Sequence, residues 1–408
     1  MKKSTLAAIC LMMVLALSVT LTGHASGLFD YFNQDKQETV TITKAEYESL
    51  KKYEKLDEIL AYIEEYYYQE PDVDAMMEMA ARGLLAGLED PYTFYYNAQE
   101  WEEMWADDEG EYGGIGIQLL GNYEDNTVFI TRVFKNTPAE NAGLLRGDKL
   151  IRVEDIMVDA TTMQNAVNVM RGELESEVEV EVLRGGEPLV FVMPRATIHV
   201  NRVEYQMLED QVGYICLYEF AGDCAEAFEK ALNDLIEQGA TSLVVDLRDN
   251  GGGWVKDAEK VADLFLDEQL LFYSEDRYGN REESRTKNGK TDIPLVMLVN
   301  EFSASSSEIL SGSLRDLGRA TLVGTNTYGK GIIQYVVPMS EGGDGIQFTV
   351  AQYFLASGEA VHKVGILPDV VVEYPEELTG VYMQFGDMSD PQLKTAWEYA
   401  KNAAQAAE

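Results

Sequence analysis

Pro294-Leu-Val-Met-Leu-Val299-Asn-Glu-Phe-Ser-Ala-Ser305-Ser-Ser-Glu308 runs from an unbroken apolar segment through a serine-rich turn into the helical Ile309-Leu-Ser-Gly-Ser-Leu-Arg315. A strand with one face in water alternates apolar and polar residues, whereas a run without alternation fits a strand covered on both faces. The pattern recurs at Tyr214 to Tyr218, followed by a helix near Ala225 to Glu237, and at Ser242-Leu-Val-Val245, followed by a helix near Val255 to Leu266. Thr321-Leu-Val-Gly324 repeats it once more. Apolar strands alternating with helices predict an α/β region on a largely parallel sheet, over residues 198–376, with a helical tail over 377–408.

Upstream the pattern changes. Gly113-Gly114-Ile115-Gly116-Ile117 opens a strand, Val128 to Val133 forms another, and Pro138-Ala-Glu-Asn-Ala-Gly143 reads as a short helix with a glycine stop. A helix near Thr162 to Met170 and strands at Val178 to Val182 and Leu189 to Val192 complete one small β-rich domain over 108–197. From Thr43 to about Trp105 apolar residues such as Tyr47, Leu50, Leu56, Ile59 and Ile63 recur at helical spacing, so 43–107 reads as a helical region broken at Asp90-Pro91. The Tyr66-Tyr67-Tyr68 and Met76-Met77 clusters are expected in its core. Residues 26–42 are polar and aperiodic, as in a linker. Lys2 and Lys3, the apolar run Leu6 to Leu21 and the small residues of Gly23-His24-Ala25 make residues 1–25 an export signal and place the chain outside the cytoplasm. The run's length leaves an uncleaved membrane anchor open.

Composition narrows the chemistry. The 408 residues carry 71 acidic against 32 basic side chains, a formal charge of −39, so the attraction that drives nucleic-acid binding is missing. His24, His199 and His362 are the histidines and Cys10, Cys216 and Cys224 the cysteines, too few for a Cys/His zinc site. Acidic residues are scattered rather than set at calcium-loop spacing. No metal or organic cofactor is expected. Cys216 and Cys224 allow a disulfide outside the cytoplasm, but nothing else resembles a disulfide scaffold, and two small buried residues are expected.

The chemistry must therefore come from Ser, Thr, Lys, Asp or Glu. Ser305 stands at a strand-to-helix turn, where first-turn N–H groups are free to stabilise an oxyanion, although Ser305-x-x-Glu308 is also the pattern of a helix cap. Lys330, in Tyr328-Gly-Lys330-Gly-Ile-Ile-Gln334, is bracketed by glycines that admit close backbone approach, and the apolar residues that follow disfavour its charged form and move it toward a general base. Gln334 shares the lysine's face of the strand and is placed to orient its amine. Gly251-Gly252-Gly253, after the buried strand and Asp246-Leu-Arg248, offers N–H groups to one concavity without either phosphate-loop spacing. Ser49-x-x-Lys52 and Ser284-x-x-Lys287 match another serine-enzyme motif, but lie in a charged helix and a polar turn-like stretch and read as coincidence. His199 and His362 fall in a linker strand and a loop, and neither is favoured as a base.

Taken together, several ordered motifs resemble the C-terminal processing (tail-specific) peptidases, serine endopeptidases with an embedded PDZ domain. They are Gly87-Leu-Glu-Asp-Pro-Tyr-Thr93, Gly113 to Ile117, Pro138-Ala-Glu-Asn-Ala-Gly-Leu144, Gly213-Tyr-Ile215, Asp246-Leu-Arg248, Ser303 to Glu308, Gly324 to Gln334 and Val364-Gly-Ile-Leu-Pro-Asp369. The resemblance implies a multidomain α/β protein: an N-terminal helical region, a PDZ domain and a crotonase-like α/β protease core. It implies a Ser305/Lys330 dyad with Gln334 orienting the amine, an oxyanion hole from Gly251, Gly252 and the Ser306 N–H, and a PDZ loop, Gly113, Gly114, Ile115, Gly116 and Ile117, that receives a substrate's free C-terminus. It further implies protein or peptide substrates, gating or feeding of the protease by the PDZ domain, and helices at the chain ends that build a homo-oligomer. Phe302, Gly251 and Ala356 depart from the family's usual Gly, Pro and Pro; none removes Ser305, Lys330 or Gln334. The competing reading is a non-catalytic envelope scaffold whose functional site is the PDZ loop alone.

Overall fold

The computed structural model describes residues 41–122, 126–287, 291–339, 343–378 and 383–407, so the segment 1–25 read as an export signal and most of 26–42, read as a linker, lie outside the described residues. Among the described residues no helix is long and apolar enough to cross a membrane. The chain divides into two compact units, residues 1–77 and 78–408.

In the first unit, Thr43 caps the helix Lys44–Leu50: its hydroxyl accepts from Glu46 N–H at 3.2 Å while the Glu46 carboxylate accepts from Thr43 N–H at 2.6 Å. A short 3-10 turn, Lys51–Tyr53, leads into the helix Glu54–Tyr66. Neither helix has a buried residue. The expectation that the tyrosine and methionine clusters are core fails, because Tyr66, Tyr68 and Met77 are 69%, 80% and 51% exposed. Helical spacing created the apolar stripe, but two short helices hold too little chain to cover it.

The second unit holds the remaining domains. Residues 117–194 form the small β-rich domain, with strands Ile117–Asn122, Thr127–Val133, Lys149–Val153, Glu177–Arg184 and Glu187–Pro194 in one antiparallel sheet. The helices Pro138–Ala142 and Met163–Met170 belong to it, with Ile115, Val128, Ile130, Leu150 and Val180 at the centre of its core. Glu111–Gly114 pairs antiparallel with Ala196–His199, a two-stranded ribbon at the domain's two chain ends.

The large domain is built on a six-stranded sheet ordered Val203–Met207, Val212–Leu217, Ser242–Asp246, Leu295–Val299, Ala320–Gly324 and Val370–Val371, antiparallel at the first pair and parallel thereafter. The unbroken apolar runs have a direct cause. Leu243, Val245, Met297 and Val299 face a core built with the helices Cys224–Glu237, Val255–Asp263 and Ser306–Asp316, while Val244, Val296 and Leu298 face the helix Pro391–Ala407 through Leu393, Ala396 and Ala400. Both faces are dry, so alternation disappears. Cys216 and Cys224 are buried and free.

A second, antiparallel sheet was not expected from the sequence. It contains Leu270–Asp276, Arg281–Arg285, Ile332–Pro338 and the long Gly345–Leu355, and its edge is completed by Phe94–Tyr96 from the segment read as helical. Ser284 lies in one of these strands rather than in a turn.

Candidate active site

The strand Leu295–Val299 and the helix Ser306–Asp316 meet at Ser305, whose backbone adopts φ 56° and ψ −115°. A non-glycine residue held there stores on the order of 1–3 kcal/mol of strain. The surrounding hydroxyls supply the restraint. Ser303, Ser306 and Ser307 are fully buried and donate to the carbonyls of Leu247, Gly253 and Asn250, each at 2.8 Å. Ser305 keeps partial exposure, which singles it out among the four serines as the one that can meet a substrate.

The glycine loop packs directly on this turn. A Cβ on Gly252, whose φ is +103°, would lie 2.7 Å from Ser305 Cβ and 3.0 Å from the Ser306 nitrogen. The amides of Gly251 and Ser306 have no hydrogen-bond acceptor among the described residues, while Gly252 N–H donates to Asn250 Oδ1 at 2.9 Å. Asp246 and Arg248 serve the scaffold instead: the buried guanidinium pairs with Asp246 at 2.6 Å and Asp390 at 2.7 Å. Arg248 holds the Asp246 carboxyl below the usual range against the upward push of burial.

Glu308 joins the two halves of the site. It is fully buried, and its carboxylate accepts from Thr327 Oγ1 at 2.6 Å and Gly329 N–H at 2.7 Å through one oxygen, and from Ser305 N–H and Lys330 N–H at 2.9 Å each through the other. Burial raises its carboxyl above the usual range despite these donors. The sequence reading recognised Glu308 only as a helix-cap residue; its second task, gathering the lysine loop, has no local signature.

Lys330 is partly buried, and burial lowers its amine from the ordinary lysine value while the Asp90 and Glu308 carboxylates oppose that shift. The bracketing glycines are required by backbone packing: a Cβ on Gly329 would lie 3.0 Å from Gly365 N, and one on Gly331 would overlap His362. No hydrogen bond joins Lys330 Nζ to the Ser305 hydroxyl or to Gln334. The amine lies 4.6 Å from the centre of the Tyr92 ring, and Gln334 Nε2 donates to Thr349 Oγ1 at 3.3 Å. The Asp90–Thr93 turn, read from sequence as a helix break and as part of a family motif without an assigned role, therefore reaches the lysine. Of the histidines, His199 is exposed on the ribbon and His362 packs behind Gly331 with its Nδ1 buried and unpaired.

In the small domain, a cavity of about 210 Å³ opens between Ile115-Gly116-Ile117 and the helix residues Met163, Val167 and Met170. Gly116 has φ +89°, and a Cβ there would overlap Thr137. The carbonyls of Ile115 and Gly116 are taken by Ala139 N–H and Phe134 N–H, both at 2.9 Å, while their own amides have no acceptor among the described residues. Gly113 and Gly114 belong to the ribbon, paired with Thr197 and Ala196. The domain touches the segment that leads into the glycine loop: Arg146 pairs with Asp249 at 2.7 Å, and the Asn300 amide nitrogen donates to the same carboxylate at 2.8 Å.

Three family models match the chain: peptidase family S41 over residues 211–372, a PDZ domain over 129–184, and the N-terminal domain of the activating protease CtpB over 18–100. The chain is 38% identical over 304 residues to a carboxyl-terminal-processing protease of Synechocystis sp., spanning 72% of this chain and 71% of the relative. It is 30% identical over 404 residues to the carboxy-terminal processing protease CtpB of Bacillus subtilis, spanning 95% and 83%. Among solved structures, the photosystem II D1 C-terminal processing protease superposes with a TM-score of 0.56 at 28% identity, covering 86% of this chain and all of that one.

Proposed function

Because the chain belongs to peptidase family S41, among the carboxyl-terminal-processing serine proteases, we propose that it is an exported endopeptidase that works through Ser305 and Lys330 and recognises substrates by their free C-termini. The observation that carries the reading is the Glu308 carboxylate, which holds the backbones of Ser305 and Lys330 on one oxygen. In the reaction, the neutral Lys330 amine takes the Ser305 hydroxyl proton as Oγ adds to the scissile carbonyl. The Gly251 and Ser306 amides receive the tetrahedral anion, joined by Gly252 once its N–H leaves Asn250, and Gln334 orients the amine. The Lys330 ammonium then protonates the departing amine, and water releases the acyl-enzyme.

The 210 Å³ cavity beside the unengaged Ile115 and Gly116 amides supports carboxylate capture with an apolar terminal side chain, and Gly113 to Ile117 is the proposed loop. The exposed tyrosine face of the N-terminal helices fits a second copy of the chain. A non-catalytic scaffold is set aside by the family.

Digestion of an unstructured protein, with cleavage sites mapped by mass spectrometry, tests the proposal. Ser305→Ala and Lys330→Ala should each abolish cleavage, and amidating the substrate's C-terminus should weaken it. Undiminished activity in either variant overturns the dyad, and indifference to amidation overturns C-terminal recognition.

A further inference from the structure

Asp90-Pro91-Tyr92-Thr93 is a tightly bonded turn. The Asp90 carboxylate accepts from Tyr92 N–H at 3.0 Å and from Thr93 Oγ1 at 2.7 Å, and the Asp90 carbonyl accepts from Thr93 N–H at 3.1 Å. The turn is fastened to the second sheet. Thr349 N–H donates to Thr93 Oγ1 at 3.1 Å, Gln347 Nε2 donates to the Tyr92 carbonyl at 3.2 Å, and Phe94–Tyr96 pairs with the strand Gly345–Leu355. The Tyr92 and Tyr328 hydroxyls lie 3.2 Å apart, closing the turn over the lysine loop. Such a turn needs no cation in order to form. Its ring nevertheless presents a face to Lys330 Nζ at 4.6 Å, and its carboxylate, which makes no hydrogen bond or ion pair with that amine, favours the charged form from farther away.

We propose that Asp90 is a positioning residue for Lys330: its carboxylate fixes the turn whose Tyr92 ring forms a resting dock for the ammonium group, which the amine leaves to reach the Ser305 hydroxyl. This rests on the Ser305/Lys330 reading. Two features support it. The lysine's main chain is fixed by Glu308, yet its amine hydrogen-bonds neither Ser305 nor Gln334. Gln334 is also committed elsewhere: its Nε2 donates to the Thr349 hydroxyl, and Thr349 N–H donates to Thr93 Oγ1 of the same turn, so the orienting glutamine and the turn meet on one residue. An aromatic face and a carboxylate both favour the charged form of the amine.

The charged and titratable groups around the amine come from four elements. Asp90 and Tyr92 belong to the turn, Glu308 to the helix, Tyr328 to the lysine's own loop, and His362 and Lys363 to the segment packed on Gly329 and Gly331. Asp90 and Glu308 retain the proton on Lys330 while burial removes it. Removing the Asp90 charge therefore favours the neutral amine in the free enzyme.

The test is the pH dependence of kcat/KM and of kcat for the full chain carrying Asp90→Asn, Tyr92→Leu or Tyr92→Phe. The acid limb of kcat/KM reports the free enzyme and that of kcat the substrate complex. Asp90→Asn should move the kcat/KM limb to lower pH, raising the rate at the acid end severalfold relative to the plateau, and leave the kcat limb in place. Tyr92→Leu should act in the same direction and Tyr92→Phe in neither; if Asp90→Asn does not fold, Tyr92→Leu decides alone. Limbs unmoved in a folded Asp90→Asn overturn the proposal in favour of a purely structural turn. Equal movement of both limbs overturns the departure of the amine. A readout without turnover separates this from failure of the dyad: after reductive ¹³C-methylation of the Ser305→Ala protein, the Lys330 resonance, assigned by its loss in Lys330→Ala, should titrate lower when Asp90 is Asn.

Discussion

Replacing Glu308 by glutamine is the most informative single perturbation of this site. The carboxylate meets four donors: the amides of Ser305, Gly329 and Lys330 and the Thr327 hydroxyl. A glutamine offers one acceptor oxygen and one NH₂, and its two orientations differ in cost. With the oxygen toward Ser305 and Lys330, the NH₂ faces Gly329 N–H, which it orphans, and the Thr327 hydroxyl, which already accepts from Ile366 N–H at 2.7 Å and has a second lone pair to offer. The opposite orientation orphans two amides, those of Ser305 and Lys330. The first is therefore preferred. One orphaned buried amide costs about 1–3 kcal/mol, and losing charge assistance on the remaining bonds adds about 1 kcal/mol, so Glu308→Gln should destabilise by about 2–4 kcal/mol. Glu308→Ala leaves all three amides unpaired and should cost more than twice the loss at the single amide. Denaturant midpoints measure the stability, and the labelling rate with a fluorophosphonate serine probe measures the nucleophile. Glu308→Gln should keep measurable labelling because Ser305 N–H retains its acceptor; Glu308→Ala should lose it. If both variants match the parent in midpoint and labelling, the carboxylate is not what holds the two loops together.

Gly252→Ala places a methyl group against Ser305 Cβ and the Ser306 amide at a φ of +103°, and cleavage should fall at least a hundredfold with binding of C-terminal peptides unchanged, as read by single-turnover kinetics and fluorescence anisotropy. Arg146→Ala breaks a pair whose side chains are 29% and 48% exposed, so stability should change by at most about 1 kcal/mol. Its effect should appear instead as slower cleavage of protein substrates whose C-terminus occupies the PDZ groove, with short internal peptides unaffected. Gly116→Val should abolish binding of a peptide with a free C-terminus while leaving probe labelling of Ser305 intact, because the side chain overlaps Thr137 in the loop. Replacing Tyr62 and Tyr66 by serine removes exposed apolar area and should shift the mass measured by light scattering toward the monomer; an unchanged monomeric mass in the parent refutes self-association through this face.

The parallel sheet was legible because its strands are covered on both faces, and Ser242–Asp246 and Leu295–Val299 could be placed to within a residue or two. The second sheet was not. Ile332–Pro338 and Gly345–Leu355 have mixed burial and pair with each other, and Phe94–Tyr96 joins them from far away in the chain, a pairing that no local pattern encodes. The tyrosine cluster failed for the opposite reason: a helical stripe says that a face is apolar, not what covers it. Ser305 and Lys330 stood out by their local setting, a turn at a sheet end and a glycine bracket. The reach of the Asp90–Thr93 turn to Lys330, the Arg146 pair and the second role of Glu308 remained invisible, since each joins residues distant in sequence. The glycine bracket serves the purpose expected of it, close backbone approach; what the sequence did not reveal is that the approaching backbone is that of residues 362–365.

The division of labour between main chain and side chain explains how a lysine can serve this site. A base working near neutral pH must lose its proton, and burial of Lys330 pushes in that direction. A side chain permanently hydrogen-bonded to a nucleophile would also leave a peptidase competent toward any chain that entered. Here the backbone amides of Ser305, Gly329 and Lys330 are locked to one buried carboxylate, so the loops are already in place. The reactive amine rests instead on Tyr92. Moving a four-carbon side chain across a fixed backbone requires only rotamer changes, which cost far less than rebuilding either loop. Assembly of the dyad then becomes a small free-energy step that contacts from a bound substrate can supply. That step also places the lysine's departure from its ammonium partners at the moment when a carbonyl is present for Ser305 Oγ to attack and the amine's lone pair can take the hydroxyl proton.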